Sequence, residues 1–193
     1  PVAEAEPALV ELDELDELFR SNWTLSLRFK GVGVLDKATA MRLNAVGPLA
    51  RVAGLAIDVR NETAHLLPWK TMGRKMRTDT AGDVHARSTV RLREMYVCLD
   101  VINNVLDGLA EGPLETDTKA LPNGEAGIRL EAPRGEVFYY VRAAKNQVLD
   151  RLKIKTPTFS NIAAMKQLFL GADYASIPAI LASLDPCLSC TAR

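Results

Sequence analysis

Two cysteines near the C-terminal end of the sequence are the residues most able to do chemistry. Cys187 and Cys190 stand in the string Asp-Pro-Cys-x-x-Cys-Thr-x-Arg, which runs from Asp185 to Arg193. Two intervening residues let both sulfurs converge on one soft metal ion, or let one thiolate attack the other in redox exchange. The spacing therefore indicates either a metal site or a redox pair, and alone it does not decide between them.

The common uses of a Cys-x-x-Cys pair fit the remaining sequence poorly. A zinc site needs two more ligands, but Cys98, His65 and His85 show no second Cys-x-x-Cys or His-x₃-His spacing. A thioredoxin-type pair would begin a helix after an early strand. A structural disulfide is not expected from three cysteines of which two are crowded together. Because Cys98 lies in an apolar helical pattern, we expect it to be a buried, inert thiol.

The full terminal string resembles the nickel-binding end of the large subunit of energy-converting nickel-iron hydrogenases, the membrane-bound branch related to complex I. Further matches follow in the same order along the chain. They are Gly47–Arg51, Asp58–Arg60, Gly82–Arg87, the Glu-Ala-Pro-Arg-Gly-Glu turn at Glu131–Glu136, and Lys-Thr-Pro-Thr-Phe-Ser-Asn at Lys155–Asn161. An ordered set covering the chain from about Asn22 onward is poorly explained by chance. The chain therefore resembles the C-terminal half of such a large subunit.

This resemblance implies a nickel-iron centre in which two thiolates bridge the metals, two bind nickel alone, and the iron carries carbon monoxide and cyanide. By position, Cys187 would be a terminal nickel ligand that can also take the proton, and Cys190 a bridging ligand. Thiolates are soft donors, and an electron-rich metal can polarise dihydrogen for heterolytic cleavage. The implied activity is reversible dihydrogen cleavage, with electrons passed to iron-sulfur clusters of a partner subunit.

The same resemblance assigns the residues around the metal ligands. Arg134 would project from its turn over the open metal position, where its cation can hydrogen-bond a cyanide and stabilise the polarised hydrogen. Asp185 would lie beside Arg134 and hold its guanidinium. Thr158 would offer its hydroxyl to the other cyanide. Pro133 would stiffen the turn, and Pro157 would belong to the same surroundings. Taken alone, these residues are an ordinary hairpin arginine, a capping aspartate and a turn threonine.

Charged residues within glycine-broken or helical segments could form an internal ion-pair network, and such a network could carry protons. Its members would be Asp58, Arg60, Asp83, His85 and Arg87. The alternative is a purely structural set of ion pairs, which is the commoner use of such residues.

The sequence supplies only two of the four thiolates that the implied site requires. The other pair belongs to an Arg-x-Cys-Gly-x-Cys-like segment, and no such segment occurs between Pro1 and Arg193. We therefore expect another polypeptide to carry that N-terminal half, beside a small subunit with an iron-sulfur cluster and, where the complex is membrane-attached, a membrane arm. In the family that the string resembles, a maturation protease removes a short tail after this basic residue, Arg193, so the resemblance implies such a protease as a partner. Respiratory-type relatives have a metal-binding histidine there, so the arginine speaks against a C-terminal magnesium site.

Two other functions stay open at this point. The quinone-module large subunit of complex I shares the fold and several landmarks, but it lacks the nickel cysteines and acts as a structural and coupling protein. A metal-chaperone or zinc module would use only the terminal Cys-x-x-Cys pair. The presence of both Cys187 and Cys190 argues against the first alternative, and the ordered upstream matches argue against the second.

Composition sets outer limits on these functions. With 193 residues, 48% of them hydrophobic, residues 1–193 are expected to form a single domain with a real core. The 24 basic and 24 acidic side chains cancel, so nothing in the charge points to nucleic acid. No apolar run approaches the ~20 residues that cross a bilayer. We expect a cytoplasmic protein that can lie peripherally on the cytoplasmic face of a membrane.

The elements that position these residues give an α+β fold class, mainly helical with a long central helix and a small antiparallel sheet or hairpin. The long helix is predicted from Asp83, as N-cap, to about Leu109, because an apolar stripe continues that far. After a loop over Glu115–Gly127, the strands Ile128–Glu131 and Glu136–Val141 flank the Ala-Pro-Arg-Gly turn. This hairpin would present Arg134.

Shorter helices are predicted on either side. Pro1–Pro7 is expected to be frayed, and an amphipathic helix follows it. Ser160 is predicted to cap a helix that reaches Leu170, with Gly171 as its stop. Pro178 begins a last short helix before the terminal cysteine string.

Overall fold

The computed structural model of the chain describes residues 5–62, 76–109, 111–113, 115, 123–144 and 148–192. The helices in these ranges are α1 Ala5–Ser21, α2 Trp23–Phe29, α3 Lys37–Arg42, α4 Pro48–Val52, α5 Val59–Glu62, α6 Val84–Asp107, α7 Pro157–Phe169, α8 Ile177–Leu184 and α9 Leu188–Thr191. The strands are β1 Gly124–Ala132, β2 Gly135–Ala143 and β3 Leu149–Lys155. The predicted α+β class, mainly helical with a small antiparallel sheet, is confirmed.

Helix α6 is the longest of the described helices and runs almost where it is predicted. Asp83 caps it, because its Oδ1 accepts a hydrogen bond from Ala86 N at 2.8 Å. Gly108 follows its last residue, Asp107, which is two positions short of the predicted end at Leu109. Helices α1, α4 and α8 all pack against it. Helix α6 therefore supports both the N-terminal helices and the segment that leads to the cysteines.

The main apolar core lies where helices α4, α6, α7 and α8 meet. Buried aliphatic side chains from all four helices fill it, among them Leu49, Val84, Leu168 and Ile180. Burying such a side chain contributes about 1.5–3 kcal/mol, so this cluster holds together elements that are far apart in the chain. The cysteine segment follows directly from the last of these helices.

The sheet has the order β1-β2-β3, and both pairs are antiparallel. The predicted hairpin is present: Ala132 pairs with Gly135, so Pro133 and Arg134 form the tight turn between the strands. Strand β1 begins earlier than predicted, at Gly124, so the last residues of the expected loop are strand. Strand β3 is not predicted by the sequence pattern, because charged side chains alternate with its few apolar ones on an exposed edge.

Helix α7 begins three residues before the predicted cap. Its N-cap is Thr156 and its first residue is Pro157, a position where proline loses no helical hydrogen bond. Ser160 lies inside the first turn, and its hydroxyl donates to Thr156 O at 3.1 Å. The early start matters, because it places Thr156 and Thr158 at the helix end nearest to the cysteines.

Two predictions concern the ends of the chain and the membrane. Residues 5–7 are helical, and Pro7 lies in the first turn of α1, so the expected frayed segment through Pro7 is too long. Residues 1–4 and His65 lie outside the described residues. No helix in the described ranges is long and apolar enough to cross a membrane.

Candidate functional site

Cys187 and Cys190 lie in one short turn that is fastened to the start of helix α7. Cys190 N donates to Cys187 O at 3.1 Å, and Cys187 N donates to Thr158 Oγ1 at 3.3 Å. The hydroxyl of Thr156 donates to Cys190 O. Both cysteines are half-buried and neither is in a disulfide. The two threonines therefore hold the backbone of both cysteines while leaving the sulfur atoms at the edge of the protein.

The surroundings of Cys187 favour its thiolate. The Ser189 hydroxyl lies 3.0 Å from Cys187 Sγ, and hydrogen bonding to Ser189 and then to Cys190 lowers the pKa of Cys187 to about 7. The positive charge of Arg134 makes a smaller contribution to the same lowering. A thiol with this pKa is largely ionised at slightly alkaline pH, and the thiolate is the form that binds metals.

Arg134 reaches from the hairpin turn to the residue that begins the cysteine string. Its Nε donates to Asp185 O, and its NH2 lies 3.0 Å from Asp185 Oδ1 and 2.9 Å from Oδ2. Asp185 ends helix α8 in the left-handed conformation, at φ 51° and ψ 56°. Arg134 and Asp185, which were predicted to lie side by side, are thus in direct contact, and Asp185 lies two residues before Cys187.

The Arg134 turn rests on the backbone of a glycine from another element. A Cβ atom built on Gly47 would lie 2.4 Å from Arg134 O and 2.4 Å from Gly135 Cα. In the same way, a Cβ on Gly135 would lie 2.7 Å from Gly47 N. Both glycines have positive φ, at 66° and 126°. Only glycine permits such a close approach of the two backbone segments. This approach fixes the distance between the Arg134 turn and the start of helix α4.

The other residues predicted around the ligands occupy different positions. Thr158 is buried, and its hydroxyl oxygen accepts the Cys187 amide, which leaves the hydroxyl hydrogen able to donate to another group. Pro157 is buried at the start of α7. Pro133 is exposed on the turn beside Arg134. Of these three residues, Thr158 contacts the cysteine turn, and the roles of all three toward a metal stay predictions.

The predicted ion-pair network divides into two groups. Asp58 and Arg60 belong to a cluster around Arg51, which is only 1% exposed. The Arg51 guanidinium lies 2.7 Å from Glu94, 2.7 Å from Glu131 and 3.6 Å from Asp58. Arg60 pairs with Asp58 at 2.6 Å. Burial raises the pKa of Glu131 despite the nearby Arg51.

Arg51, Glu94 and Glu131 were not singled out from the sequence as members of this cluster. Arg51 ends the segment Gly47–Arg51, and Glu131 begins the segment Glu131–Glu136. A charged residue at the end of a segment that matches the resembled family is the signal that could have indicated these two positions. Glu94 lies in the middle of a long helix, where a charged residue is ordinarily a solvated one. Nothing in its local sequence distinguishes it.

Asp83, His85 and Arg87 form the second group, around the start of helix α6. Asp83 accepts from Gly31 N as well as capping the helix. His85 Nε2 lies 3.2 Å from Phe19 O. The buried Arg87 donates to Ser183 Oγ, Gly33 O and Gly82 O, and burial lowers its pKa to about 10. The bonds described for these three side chains tie elements together, whereas Asp58 and Arg60 contact the Arg51 cluster, and a proton-carrying role for either group stays a prediction.

A cavity of about 330 Å³ lies between the Arg51 cluster and the hairpin turn. Its lining residues are Arg51, Arg60, Arg91, Glu94, Met95, Cys98, Glu131, Ala132 and Pro133. Cys98 is exposed, so the predicted buried thiol is wrong, because the second half of α6 projects beyond the apolar core. Cys98 still lies apart from the terminal cysteines, on another element.

The donor set can be compared with what a nickel-iron centre needs. The cysteine turn offers two soft donors side by side, with a guanidinium near them. Among the described residues, no group of three or more His, Cys, Asp or Glu side chains is placed to hold a metal ion. The residues present thus fit half of a four-thiolate site, and the pair alone would be a weak one.

Comparisons of this chain with known proteins agree on one family. Residues 5–121 and 116–193 match the family described as "Respiratory-chain NADH dehydrogenase, 49 Kd subunit". The carbon monoxide-induced hydrogenase of Rhodospirillum rubrum is 35% identical over 94% of this chain and 50% of its own length. The membrane-bound hydrogenase subunit alpha of Pyrococcus furiosus is 34% identical over 94% of this chain and 46% of its own length.

Relatives that are not named hydrogenases are equally similar. An NADH-quinone oxidoreductase subunit of Salinispora tropica is 34% identical over 90% of this chain and 46% of its own length. A chain in the structure of the membrane-bound sulfane sulfur reductase, an archaeal respiratory membrane complex, matches with a TM-score of 0.89 and 30% identity. That match covers 100% of this chain and 54% of the other.

The chain spans about half the length of the curated relatives that it matches. The resemblance to membrane-bound hydrogenase subunits related to complex I, first recognised in the cysteine string and the Arg134 turn, is confirmed by these relatives. This protein belongs to the family of the respiratory-chain NADH dehydrogenase 49 kDa subunit.

Proposed function

We propose that this chain forms the C-terminal half of the catalytic large subunit of a nickel-iron hydrogenase. The observation that carries the proposal is the joining of Arg134 to Asp185, two residues before a cysteine pair whose backbone two threonines hold. The subunit would cleave dihydrogen reversibly, and the electrons would pass to iron-sulfur clusters of a partner.

Cys187 and Cys190 would hold the metal centre, the first as a terminal nickel ligand and the second as a bridge to iron. The other two thiolates would come from outside residues 1–193. When bound, the centre would supply an electron-rich, open metal position at which dihydrogen is polarised. Carbon monoxide and cyanide on the iron belong to the proposal, and a magnesium ion at the position of Arg193 does not.

The side chains of this protein have separate tasks in the proposal. Cys187 Sγ would hold one proton of the cleaved dihydrogen, since it lies at the protein edge, while the second proton would leave to solvent and the two electrons to the iron-sulfur clusters of the partner. Arg134 places a fixed cation near Cys187, where it stabilises the charge that develops on heterolysis. Asp185 keeps this guanidinium in one orientation through a two-point contact. Preorganised charge of this kind needs no rearrangement during the reaction.

The relatives also support a multisubunit setting. The Pyrococcus relative is named a membrane-bound hydrogenase subunit, and the similar solved structure is of a respiratory membrane complex. We infer that this chain works beside an iron-sulfur small subunit, peripherally on a membrane arm at the cytoplasmic face, after a maturation protease has acted.

A second candidate function is the structural and coupling role of a complex-I-type subunit. It is favoured by one observation, the 34% identity to a protein named as part of an NADH-quinone oxidoreductase, which equals the identity to a named hydrogenase subunit. In that role the chain would bind no nickel. The cysteine pair is the feature that this candidate leaves without a purpose.

Serine substitutions at the cysteine pair distinguish the two candidates. In the assembled complex, Cys187→Ser and Cys190→Ser should each abolish hydrogen uptake and lower the bound nickel, because each removes a soft donor. Cys98→Ser is the matched control, since Cys98 is exposed on another helix and should leave both quantities unchanged. Nickel is measured by mass spectrometry and hydrogen uptake with an electron-accepting dye. A wild-type complex without nickel, or variants with full activity, would favour the second candidate.

A further inference from the structure

We propose that Arg91 is a positioning residue for the candidate site, because together with Arg134 it holds Asp185 and the chain leading to the cysteines. Arg91 lies on helix α6, 94 residues before Asp185 in the sequence. Its NH1 is 3.3 Å from Asp185 Oδ2, and its NH2 donates to Leu184 O at 3.0 Å. The inference rests on the proposed function.

Two guanidinium groups, from Arg91 and Arg134, bind the C-terminal end of helix α8. Arg91 donates a hydrogen bond to the carbonyl oxygen of Leu184, and Arg134 donates one to the carbonyl oxygen of Asp185. Both also bind the Asp185 carboxylate, at 3.3 Å for Arg91 and 2.9 Å for Arg134. Consecutive carbonyls and the side chain between them are thus fixed by cations from two elements, a helix and a hairpin.

The conformation of Asp185 explains why two cations are needed. Asp185 has a left-handed backbone, which is unfavourable for a residue with a Cβ and persists only where neighbouring contacts hold it. Its side chain is 44% exposed, so packing alone does not fix the carboxylate. Without Arg91, the carboxylate loses one of its two cations, the Leu184 carbonyl loses its guanidinium donor, and Arg134 loses a fixed partner.

The surroundings of Arg91 favour a role in positioning Asp185 over a role in stabilising the protein. Its side chain is 24% exposed and lines the 330 Å³ cavity beside Pro133. Its buried Nε has no hydrogen-bond partner among the described residues, and burial lowers the pKa of Arg91. An unmet donor is an unfavourable feature that a purely stabilising arginine would avoid. The ordinary alternative is a simple helix C-cap, in which Arg91 stabilises α8 and nothing beyond it.

Hydrogen exchange in the assembled complex separates these roles without requiring hydrogenase activity. The Cys187 amide bonds to Thr158 and the Cys190 amide to Cys187 O, so both should exchange slowly. Arg91→Gln should speed exchange at both amides roughly 10-fold or more, because charge-assisted hydrogen bonds that hold this segment are lost. Arg93→Gln, an exposed arginine on the same helix, is the control and should change it less than about 2-fold.

The outcomes distinguish the proposal from its alternatives. Faster exchange confined to residues 185–190, with kcat for hydrogen uptake about 10-fold lower and KM unchanged, supports positioning. Faster exchange spread along helix α8, with residues 185–190 no more affected than the rest, would leave only a C-cap and overturn it, as would unchanged exchange. If Arg91→Gln fails to assemble, Arg91→Lys decides, because lysine keeps the charge but cannot reach both oxygens in a fork, and exchange should rise partway. If the wild-type complex lacks nickel, the proposed function fails, while the exchange result still tests the placement of Asp185.

Discussion

Replacing Gly47 with alanine tests whether the height of the Arg134 turn matters for activity. The new Cβ would lie 2.4 Å from Arg134 O and 2.4 Å from Gly135 Cα, whereas ordinary contacts begin at 3.4 Å. Both neighbours are backbone atoms, so no flexible side chain can move aside. The turn therefore has to retreat by about 1 Å, from 2.4 to 3.4 Å.

A displacement of this size predicts a definite loss of turnover. Misplacing a catalytic group by about 1 Å can lower the rate roughly 100-fold, and Arg134 would be carried away from the cysteine pair with its turn. The backbone of Gly47, at φ 66° and ψ −147°, adds strain of about 1–3 kcal/mol for any residue with a Cβ. We expect turnover to fall about 100-fold while nickel content stays near that of the wild type, since both cysteines remain.

The assay compares hydrogen uptake, nickel content and thermal stability of the assembled complex. Gly171→Ala is the matched control, because Gly171 also has a positive φ, of 75°, but nothing lies within 4 Å of its added Cβ. That variant should carry backbone strain without displacing the turn, and its turnover should change less than 3-fold. Equal turnover in the two variants would refute the reasoning, since strain alone would then account for the effect.

The remaining predictions concern Arg134 and the Arg51 cluster. Arg134→Lys should leave nickel content unchanged and lower turnover by about 100-fold, because one ammonium cannot reproduce the fork on Asp185; unchanged turnover in a dye-reduction assay would contradict the role. Arg51→Gln should lower the free energy of unfolding by about 3–5 kcal/mol at pH 7, measured by urea denaturation, because it leaves buried carboxylates without their cation. The pKa of Glu131 is already raised above its ordinary value of 4.5 and should rise further in this variant, so the folded state holds that proton more tightly than the unfolded state. The loss of stability should accordingly shrink as the pH falls from 7 through the raised pKa, and a loss that grew on acidification would reverse the sign.

Local signals in the sequence predicted the parts of the fold that depend on neighbouring residues. Asp83 caps helix α6 because an N-cap acts over three residues, and the Arg134 turn follows from proline and glycine flanked by alternating strands. The cysteine pair needs only its own spacing. These features could be predicted because their causes lie within a few positions of one another.

Features that depend on distant partners could not be predicted in the same way. Glu94 has an ordinary helical context, and its importance comes from Arg51, 43 residues earlier. The hydroxyl oxygen of Thr158 accepts the amide of Cys187, 29 residues later, and nothing in the local sequence indicates that contact. Arg91 was overlooked for the same reason, because nothing in its own helix indicates a contact with Asp185. Folding creates these pairs, and no local pattern of residue types encodes them.

The Arg51 cluster also constrains the order in which the chain can fold. Arg51 draws its carboxylates from positions 43 and 80 residues further along, on a helix and on the hairpin. A chain in which the hairpin has not yet docked would have to bury this cation without one of its carboxylates, Glu131, which is less favourable than burying the complete cluster. Docking of the hairpin and completion of the core should therefore occur together. The protein would thus present the Arg134 turn beside the cysteines only once it is fully folded, so a metal would meet either a finished half-site or none.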